Sequence, residues 1–507
     1  HAARSTRPDP RGPIHAKNRL TALADFNILM QSIDCLYLQP MQRPHRHRLA
    51  ARAAGHWTGE ILLRTASFDD PDLTSDQPNA RESKPAHKRV NPRPQRLHSW
   101  FNLIPIAEYE KCRNPRILFL DTFVTVESTV ADGETTYEVL FEGRQPMAVV
   151  VEIGVLFVWY GDELLKPDRP FPILFAEPYD SAYVSSTATL FEDTHVMDFV
   201  ENGSDNLHFG AVHLWEYSKI YDHVVDDETI TLRQDTRFRY GSCSTRRAIR
   251  WLSKVLPKLE LTQDYVYHGP GLAVVGATGS RVPRMNALVS LTPEGEHRTR
   301  VYVTMAIDPT TFPAAVERIF RSASRGRRLC DLLAKVMANY TKNEFDVDAI
   351  IWRNRKYLGA SALLPSEKPL REVIAWGKTF YPKDFQEPPP PERSADEPQW
   401  WPLDALENLT PGGVHRYTVD DAELIARRDA SGAVRVYDAF CPHQGAHLGF
   451  GGVIDRDCLR CPFHGFYFDA EGRCIGPNIN NQTSFIKSLN LDPVAHRVRQ
   501  GQIEVRL

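Results

Sequence analysis

A chain of 507 residues, 42% of them hydrophobic, is long enough for two or three domains with buried cores of their own. A net charge of −3 gives no electrostatic footprint for nucleic acid, and eight cysteines are too few for a disulfide framework, which fits a reducing, cytoplasmic setting. No apolar run reaches the roughly 20 residues of a membrane helix, since Phe26–Leu38 is interrupted by Asn27, Gln31 and Asp34.

Residues 1–95 are rich in Arg, Pro and His, and the first 65 carry nine Arg and one Lys against four acids. That balance predicts an Arg/Pro-rich, largely disordered tail with one helix near 18–38; an Arg-rich, acid-poor start is also the composition of an organelle-targeting segment. From 96 to 381 the composition becomes globular. β-Branched and aromatic residues predict strands at Ile117–Glu127, Thr136–Phe141, Ala148–Tyr160, Thr229–Arg239, Leu272–Val275 and Arg300–Ala306. Helical spacing falls at Thr194–His208, Pro313–Arg321 and Arg327–Tyr340. Gly276-Ala-Thr-Gly279 lacks the G-x-G-x-x-G form of a dinucleotide loop and reads as a turn. Residues 382–399, with Pro388–Pro391, form a stiff polar linker. A compact β-rich unit over 400–507 follows, with strands at His415–Asp420, Glu423–Ala426 and Val434–Ala439 and a hairpin around Gln500-Gly501. The fold class is α+β, without internal repeats.

Two motifs carry chemistry. In the last unit, Cys441-Pro-His443, seventeen residues, then Cys461-Pro-Phe-His464 offers two thiolates and two imidazoles from two short loops. A Rieske [2Fe–2S] centre needs that set: one iron takes the cysteines, the other the histidines, which makes the cluster easier to reduce. A structural zinc accepts the same ligand types, but the Pro- and Gly-containing loops suit tight turns around bridging sulfurs. Cys458 and Cys474 read as packing residues and His447 as a loop histidine.

In the middle unit, Asn202, Asp205 and His208 stand at i, i+3 and i+6, near one face of a helix, and His213 follows five residues later. Two imidazoles and a carboxylate make the facial triad of a non-haem Fe(II) site. Asp348 is the best candidate for the carboxylate, with Asp346 as an alternative.

The stretches CPHQGAHLGFGG and CLRCPFHGFYFDAEGRC resemble the Rieske domains of oxygenases. Ala446 and Phe463 stand where high-potential Rieske proteins carry an extra disulfide. Asp205-x2-His208-x4-His213, Glu201-Asn-Gly-x-Asp-x-x-His-Phe209, Asp348-x3-Trp352-x3-Lys356-Tyr357 and Phe157-Val-Trp-Tyr160 resemble the Rieske non-haem iron oxygenases. The nearest branch holds the 3-ketosteroid 9α-hydroxylases and Neverland-type cholesterol 7-desaturases. The likeness covers roughly 150–381 and 400–490, with the Rieske domain last instead of first.

The resemblance implies a helix-grip-like catalytic domain with a central antiparallel sheet, and a mononuclear Fe(II) held by His208, His213 and Asp348. Asp205 would bridge a cluster histidine of one subunit to His208 of the next in a ring-shaped homotrimer, and Asn202 would be a polar residue near the iron. It also implies O2, and electrons from NAD(P)H passed on by a separate reductase or ferredoxin. The reaction would be hydroxylation or desaturation of a hydrophobic, sterol- or steroid-like molecule. N-oxygenation of an aromatic amine, and an electron-transfer Rieske protein with a non-catalytic binding domain, stay open beside it.

Overall fold

The computed structural model describes residues 92–507 apart from 112–115, 175–183, 239–257, 281, 296–297, 312–322, 389–397 and 478–485. The expected tail up to residue 91, the helix at Pro313–Arg321 and the proline tract beyond Pro388 lie outside the described residues.

Strands β1 (Ser99–Pro105), β2 (Arg116–Phe119), β3 (Thr122–Ala131), β4 (Glu134–Phe141), β5 (Gln145–Pro146), β6 (Val149–Glu152) and β7 (Val155–Tyr160) form two small sheets, ordered β1-β7-β6 and β2-β3-β4-β5. Two strands expected as single runs are hairpins. The first breaks at Leu120-Asp121, with φ of 50° and 66°, and the second at Ile153-Gly154, with φ of 45° and 74°. Paired positive φ values are what a two-residue primed turn requires. Neither Leu-Asp nor Ile-Gly carries the Asn-Gly signature, so the flanking β-branched and aromatic residues read as one strand across each turn.

The central sheet holds seven antiparallel strands: β8 (Val184–Glu192), β9 (Tyr217–Val225), β10 (Ile230–Phe238), β11 (Leu259–Tyr267), β12 (Leu272–Gly279), β13 (Val282–Gly295) and β14 (Arg298–Ile307), in the order β8-β14-β13-β12-β11-β10-β9. From β9 to β14 it is a plain meander. Strand β10 shows how sequence makes it: Ile230, Leu232, Gln234, Thr236 and Phe238 are buried on one face while Thr231, Arg233 and Arg237 are exposed on the other, the period-two pattern of a half-buried strand. Burying a side chain such as Leu232 stabilises by about 1.5–3 kcal/mol. The expected turn at Gly276–Gly279 is instead the end of β12.

Helices cover the buried face. Helix α1 (Val196–Ser204) and the single turn α2 (His208–Ala211) replace the continuous helix expected over Thr194–His208. Helix α3 (Ala323–Trp352) packs on β8 and β14, and α4 (Lys368–Gly377) packs on α1. The expected helix Arg327–Tyr340 therefore runs on for twelve residues through Asp346 and Asp348.

Helix α1 is buried along its whole length, and its acids are neutralised by partners from other segments. Arg93 pairs with Asp198 at 2.7 Å and Glu201 at 3.1 Å, Arg355 contacts both, and the Tyr357 hydroxyl donates to Glu201 at 3.1 Å. Arg93, which falls in the tail by composition, is thus part of the fold.

The last unit contains β15 (Trp400–Ala405), β16 (His415–Val419), β17 (Ala422–Arg428), β18 (Val434–Asp438), β19 (Val453–Asp455), β20 (Cys458–Arg460), β21 (Tyr467–Phe468), β22 (Cys474–Gly476), β23 (His496–Arg499) and β24 (Gln502–Arg506), in three small antiparallel sheets. The expected hairpin turns at Gln500-Gly501. One of its hydrophobic clusters, around Phe463, Phe466 and Phe468, also takes in Ile351 from the end of α3, with Leu207, Val212 and Leu364 packed against it. The two units therefore share a core at their junction.

Candidate metal centres

The two cysteine–histidine loops are built alike. The Cys441 amide donates to the Ala446 carbonyl and the Gly445 amide to the Cys441 carbonyl, both at 2.8 Å; Cys461 repeats this with Phe466 and Gly465 at 2.8 and 3.1 Å. Gly445 and Gly465 hold φ of 71° and 68°, a left-handed conformation that glycine adopts without steric cost. Cys441, Cys461, His443 and His464 are all buried. Burial works against ionisation of the Cys461 thiol, yet the hydrogen bond from Cys441 and the field of His464 bring it down to about 7.

Carboxylates hold the outer nitrogens of both imidazoles. His464 Nε2 lies 2.8 Å from Asp205 Oδ2, and His443 Nε2 lies 2.7 Å from Glu367 Oε2. Each Nε2–H is thereby used, so the two Nδ1 atoms, which face each other at 3.1 Å, present lone pairs to one another. Two facing acceptors are repulsive unless a cation lies against both. With the thiols beside them, this donor set fits a [2Fe–2S] cluster. His447 takes no part: it lies 3.3 Å from Glu423 and accepts from the Gly449 amide. Cys458 and Cys474 are buried thiols.

The second centre draws on three elements. His208 comes from α2, His213 from the turn after it and Asp348 from the last two turns of α3; their ligand atoms lie within 4.8 Å of one another, all buried. Asp346, the alternative carboxylate, points instead at Lys342, 2.9 Å away. His208 Nδ1–H donates to the Asp205 carbonyl at 2.5 Å, and His213 Nδ1 lies 2.8 Å from Glu344 Oε2. Both rings face Asp348 Oδ1 with Nε2, from 4.0 and 3.1 Å. Burial lowers the His208 pKa, which favours the neutral imidazole a metal requires. His208 Nε2, Asp348 Oδ1 and Asn202 Oδ1 are buried without hydrogen-bond partners, and orphaned atoms converging on one point fit a bound cation. Asn202 Nδ2 donates to Asp348 Oδ2 at 3.2 Å, fixing the carboxylate.

Asp205 joins the two centres. It caps the C-terminus of α1, with ψ of 84°, so the expectation of one helix face through Asn202, Asp205 and His208 fails. The break places the Asp205 carboxylate beside His464 and its carbonyl beside His208. Burial penalises the charge, but His464 overrides this and holds the carboxyl well below the usual range. The contact expected between two subunits is made inside one chain. Gln444 Nε2 also donates to Asp205 Oδ2 at 3.3 Å, and the Lys356 amide donates to the Gly445 carbonyl at 2.9 Å. A Cβ built on Gly445 would stand 1.7 Å from the Lys356 carbonyl oxygen.

The triad sits beside a cavity of about 170 Å³ between the central sheet and helices α1 and α3. Small residues on the sheet face, Ala273 and Ala277 on β12 and Ala287 on β13, leave the space, and Phe199, Trp215 and Phe238 wall it. The motifs did not point to Glu344, Glu367 or Gln444. Glu344 precedes Asp348 by four residues on one helix and Gln444 lies inside the first loop, so both carried a positional signal; Glu367 carried none.

Residues 158–381 match the 3-ketosteroid 9alpha-hydroxylase C-terminal domain and residues 399–489 the Rieske [2Fe-2S] domain. Cholesterol 7-desaturase nvd 1 of Ciona intestinalis is 41% identical over 76 residues, 15% of this chain and 16% of that protein. Cholesterol 7-desaturase of Caenorhabditis elegans is 41% identical over 78 residues, 15% of this chain and 18% of that protein. The chain thus spans about a sixth of the length of these relatives. Dicamba monooxygenase bound to 3,6-dichlorosalicylic acid aligns with a TM-score of 0.39 and 16% identity, over 56% of this chain and 97% of that one.

Proposed function

This chain belongs with the Rieske oxygenases, carrying the 3-ketosteroid 9α-hydroxylase C-terminal domain first and the Rieske domain second, and from that premise we propose that it is a terminal oxygenase component. Electrons originating in NAD(P)H reach it from a separate reductase or ferredoxin, and O2 is the oxidant. The substrate is a hydrophobic, sterol- or steroid-like molecule that is hydroxylated or desaturated. The observation that carries this reading is the convergence of His208, His213 and Asp348 beside an apolar cavity, one residue away from a cluster histidine.

When bound, iron at the triad would supply dioxygen activation for breaking a C–H bond, with a [2Fe–2S] cluster held by Cys441, Cys461, His443 and His464 as the one-electron store. The chain's own residues do the rest. Asp205 receives the His464 Nε2–H on its carboxylate and the His208 Nδ1–H on its carbonyl, so two hydrogen bonds and a few covalent bonds separate the ligand sets. Glu344 places a carboxylate 2.8 Å from His213 Nδ1, and Asn202 holds Asp348. Aromatic and aliphatic walls keep water from the reacting carbon.

The path from His464 to His208 closes within one chain, so a homotrimer, which the resemblance implies, is not needed to complete it. Aerobic incubation with a reductase and a panel of sterols, ketosteroids and aromatic amines, followed by mass spectrometry, tests the function. A product with one added oxygen marks hydroxylation, and one lacking two hydrogens marks desaturation. Unchanged substrates together with full occupancy of both metal sites would refute the assignment.

A further inference from the structure

The junction between the two units holds a closed ring of polar contacts around the cluster histidines. His443 Nε2–H donates to Glu367 Oε2 at 2.7 Å and His464 Nε2–H to Asp205 Oδ2 at 2.8 Å, while the two Nδ1 atoms face each other at 3.1 Å. Gln444 closes the far side: its Nε2 donates to Asp205 Oδ2 at 3.3 Å and to Glu367 Oε1 at 3.4 Å. All five side chains are buried. The carboxylates come from separate parts of the catalytic unit, the end of α1 and the 3₁₀ turn Pro365–Glu367 ahead of α4. Gln444 belongs to the first cluster loop.

The chemistry fixes which way the Gln444 amide faces. Its nitrogen carries two N–H bonds and its two neighbours are ionised carboxylates, which offer only lone pairs, so each receives one proton. The reversed amide would set its oxygen against two anions. Glu367 is pinned independently, since the Leu364 amide donates to its Oε2 at 2.7 Å. A carboxylate that receives an imidazole N–H pulls that proton outward and makes the ring a more basic, more electron-rich ligand. A second donor on the same carboxylate takes up part of its charge and weakens the pull. Gln444 is placed to do this for both histidines at once.

We infer that Gln444 is a positioning residue that bridges the two histidine-holding carboxylates and makes the cluster easier to reduce. Electron-rich imidazoles stabilise the oxidised cluster, so a donor that relieves them shifts the balance towards the reduced one. Asp205 and Glu367 act as one unit, because each shares the Gln444 amide with the other. The residue thereby sets how readily an electron is accepted from the reductase or ferredoxin. Its role presupposes that the two cysteines and two histidines hold a [2Fe–2S] cluster, as proposed above.

Redox titration of the intact, cluster-loaded protein, followed by EPR and visible absorption without oxygen or substrate, reads this apart from turnover. Gln444→Met and Gln444→Leu keep the volume and remove both donors. Each should lower the midpoint potential, disfavouring the reduced cluster by about tenfold, which is about 59 mV for one electron. In Asp205→Asn or Glu367→Gln proteins the same substitution should shift the potential by about half as much, because a neutral acceptor holds the amide less strongly. An unchanged or raised potential, or the full shift in both backgrounds, would overturn the bridge. Loss of the cluster from both Gln444 variants would make Gln444 a loop-folding residue and overturn it too. A wild type that takes up no cluster would sink the oxygenase reading together with the bridge, whereas a normal wild-type cluster with unshifted variants would sink the bridge alone.

Discussion

The two centres are built in opposite ways. The cluster site takes four ligands from two loops with the same hydrogen-bonding pattern, closed by Gly445 and Gly465. The triad takes three ligands from a helical turn, the segment after it and a distant long helix. A loop site carries its geometry in its own short sequence, whereas a site assembled from packed helices depends on everything that positions them. Changes near the first should therefore act locally, and changes around the second should act through the fold.

The largest expected effect separates the two directly. His213→Ala should take product formation to background and empty the triad of metal, while the visible and EPR signals of the cluster persist. Cys461→Ser should remove those signals, with iron analysis still reporting the mononuclear site. Equal damage to both centres by either substitution would erase the contrast. Mixing the two inactive chains comes next. Because Asp205 and His464 meet within one chain, activity should stay at background; recovery on mixing would show that the path crosses between chains.

Asp205→Asn removes the carboxylate but keeps the carbonyl that faces His208, so it should slow turnover by about 10- to 100-fold, as loss of an outer-shell partner does. Single-turnover reduction of the triad by a pre-reduced cluster is the measurement, and an unchanged rate would exclude the carboxylate from the path. Arg93→Met leaves Asp198 buried beside one arginine instead of two and should cost about 3–5 kcal/mol, read as a lower denaturant midpoint. Because Asp198 and Glu201 sit on the helix that carries Asn202 and ends at Asp205, triad metal affinity should fall with it, and the cluster, touched only through Asp205, should change less.

A further effect depends on pH. His195 caps α1, accepting the Met197 amide on Nδ1, and burial, aided by Arg93, pulls its pKa from 6.5 down to about 3. The folded protein keeps it neutral while the unfolded chain takes up a proton below about 6.5, so its stabilising contribution is full above that pH and falls as pH drops towards 3. Thermal melts from pH 7 to 4 should show this slope, and His195→Asn, which caps without titrating, should flatten it.

Much of the cluster domain could be read directly. Cys441, His443, Cys461 and His464 announce themselves because loop chemistry is local, and the Gln500-Gly501 hairpin followed from turn residues. In the catalytic domain the three converging residues His208, His213 and Asp348 were legible, but not their scaffold. The strand face of β10 alternates plainly, yet the turns at Leu120-Asp121 and Ile153-Gly154 were hidden because Leu120 and Ile153 seldom adopt positive φ, and Asp121 and Gly154 alone were too weak a signal. The break of α1 at Asp205 is marked in the sequence by Gly203 alone, a weak signal beside the helical spacing; tertiary contacts to His464 and Gln444 hold Asp205 where the helix ends. Glu367 was invisible because its partner lies 76 positions away in the chain.

The glycine at 445 has a consequence for how such a molecule can change over time. Its missing side chain is what lets the first cluster loop rest on the backbone at Lys356, so this position works as a spacer of minimum thickness between the two domains. A methyl group there would act as a shim, forcing the loop and the Lys356 backbone apart and straining the left-handed backbone of the loop itself. The separation of the two candidate centres is therefore set in part by the size of a single residue that offers no ligand atom.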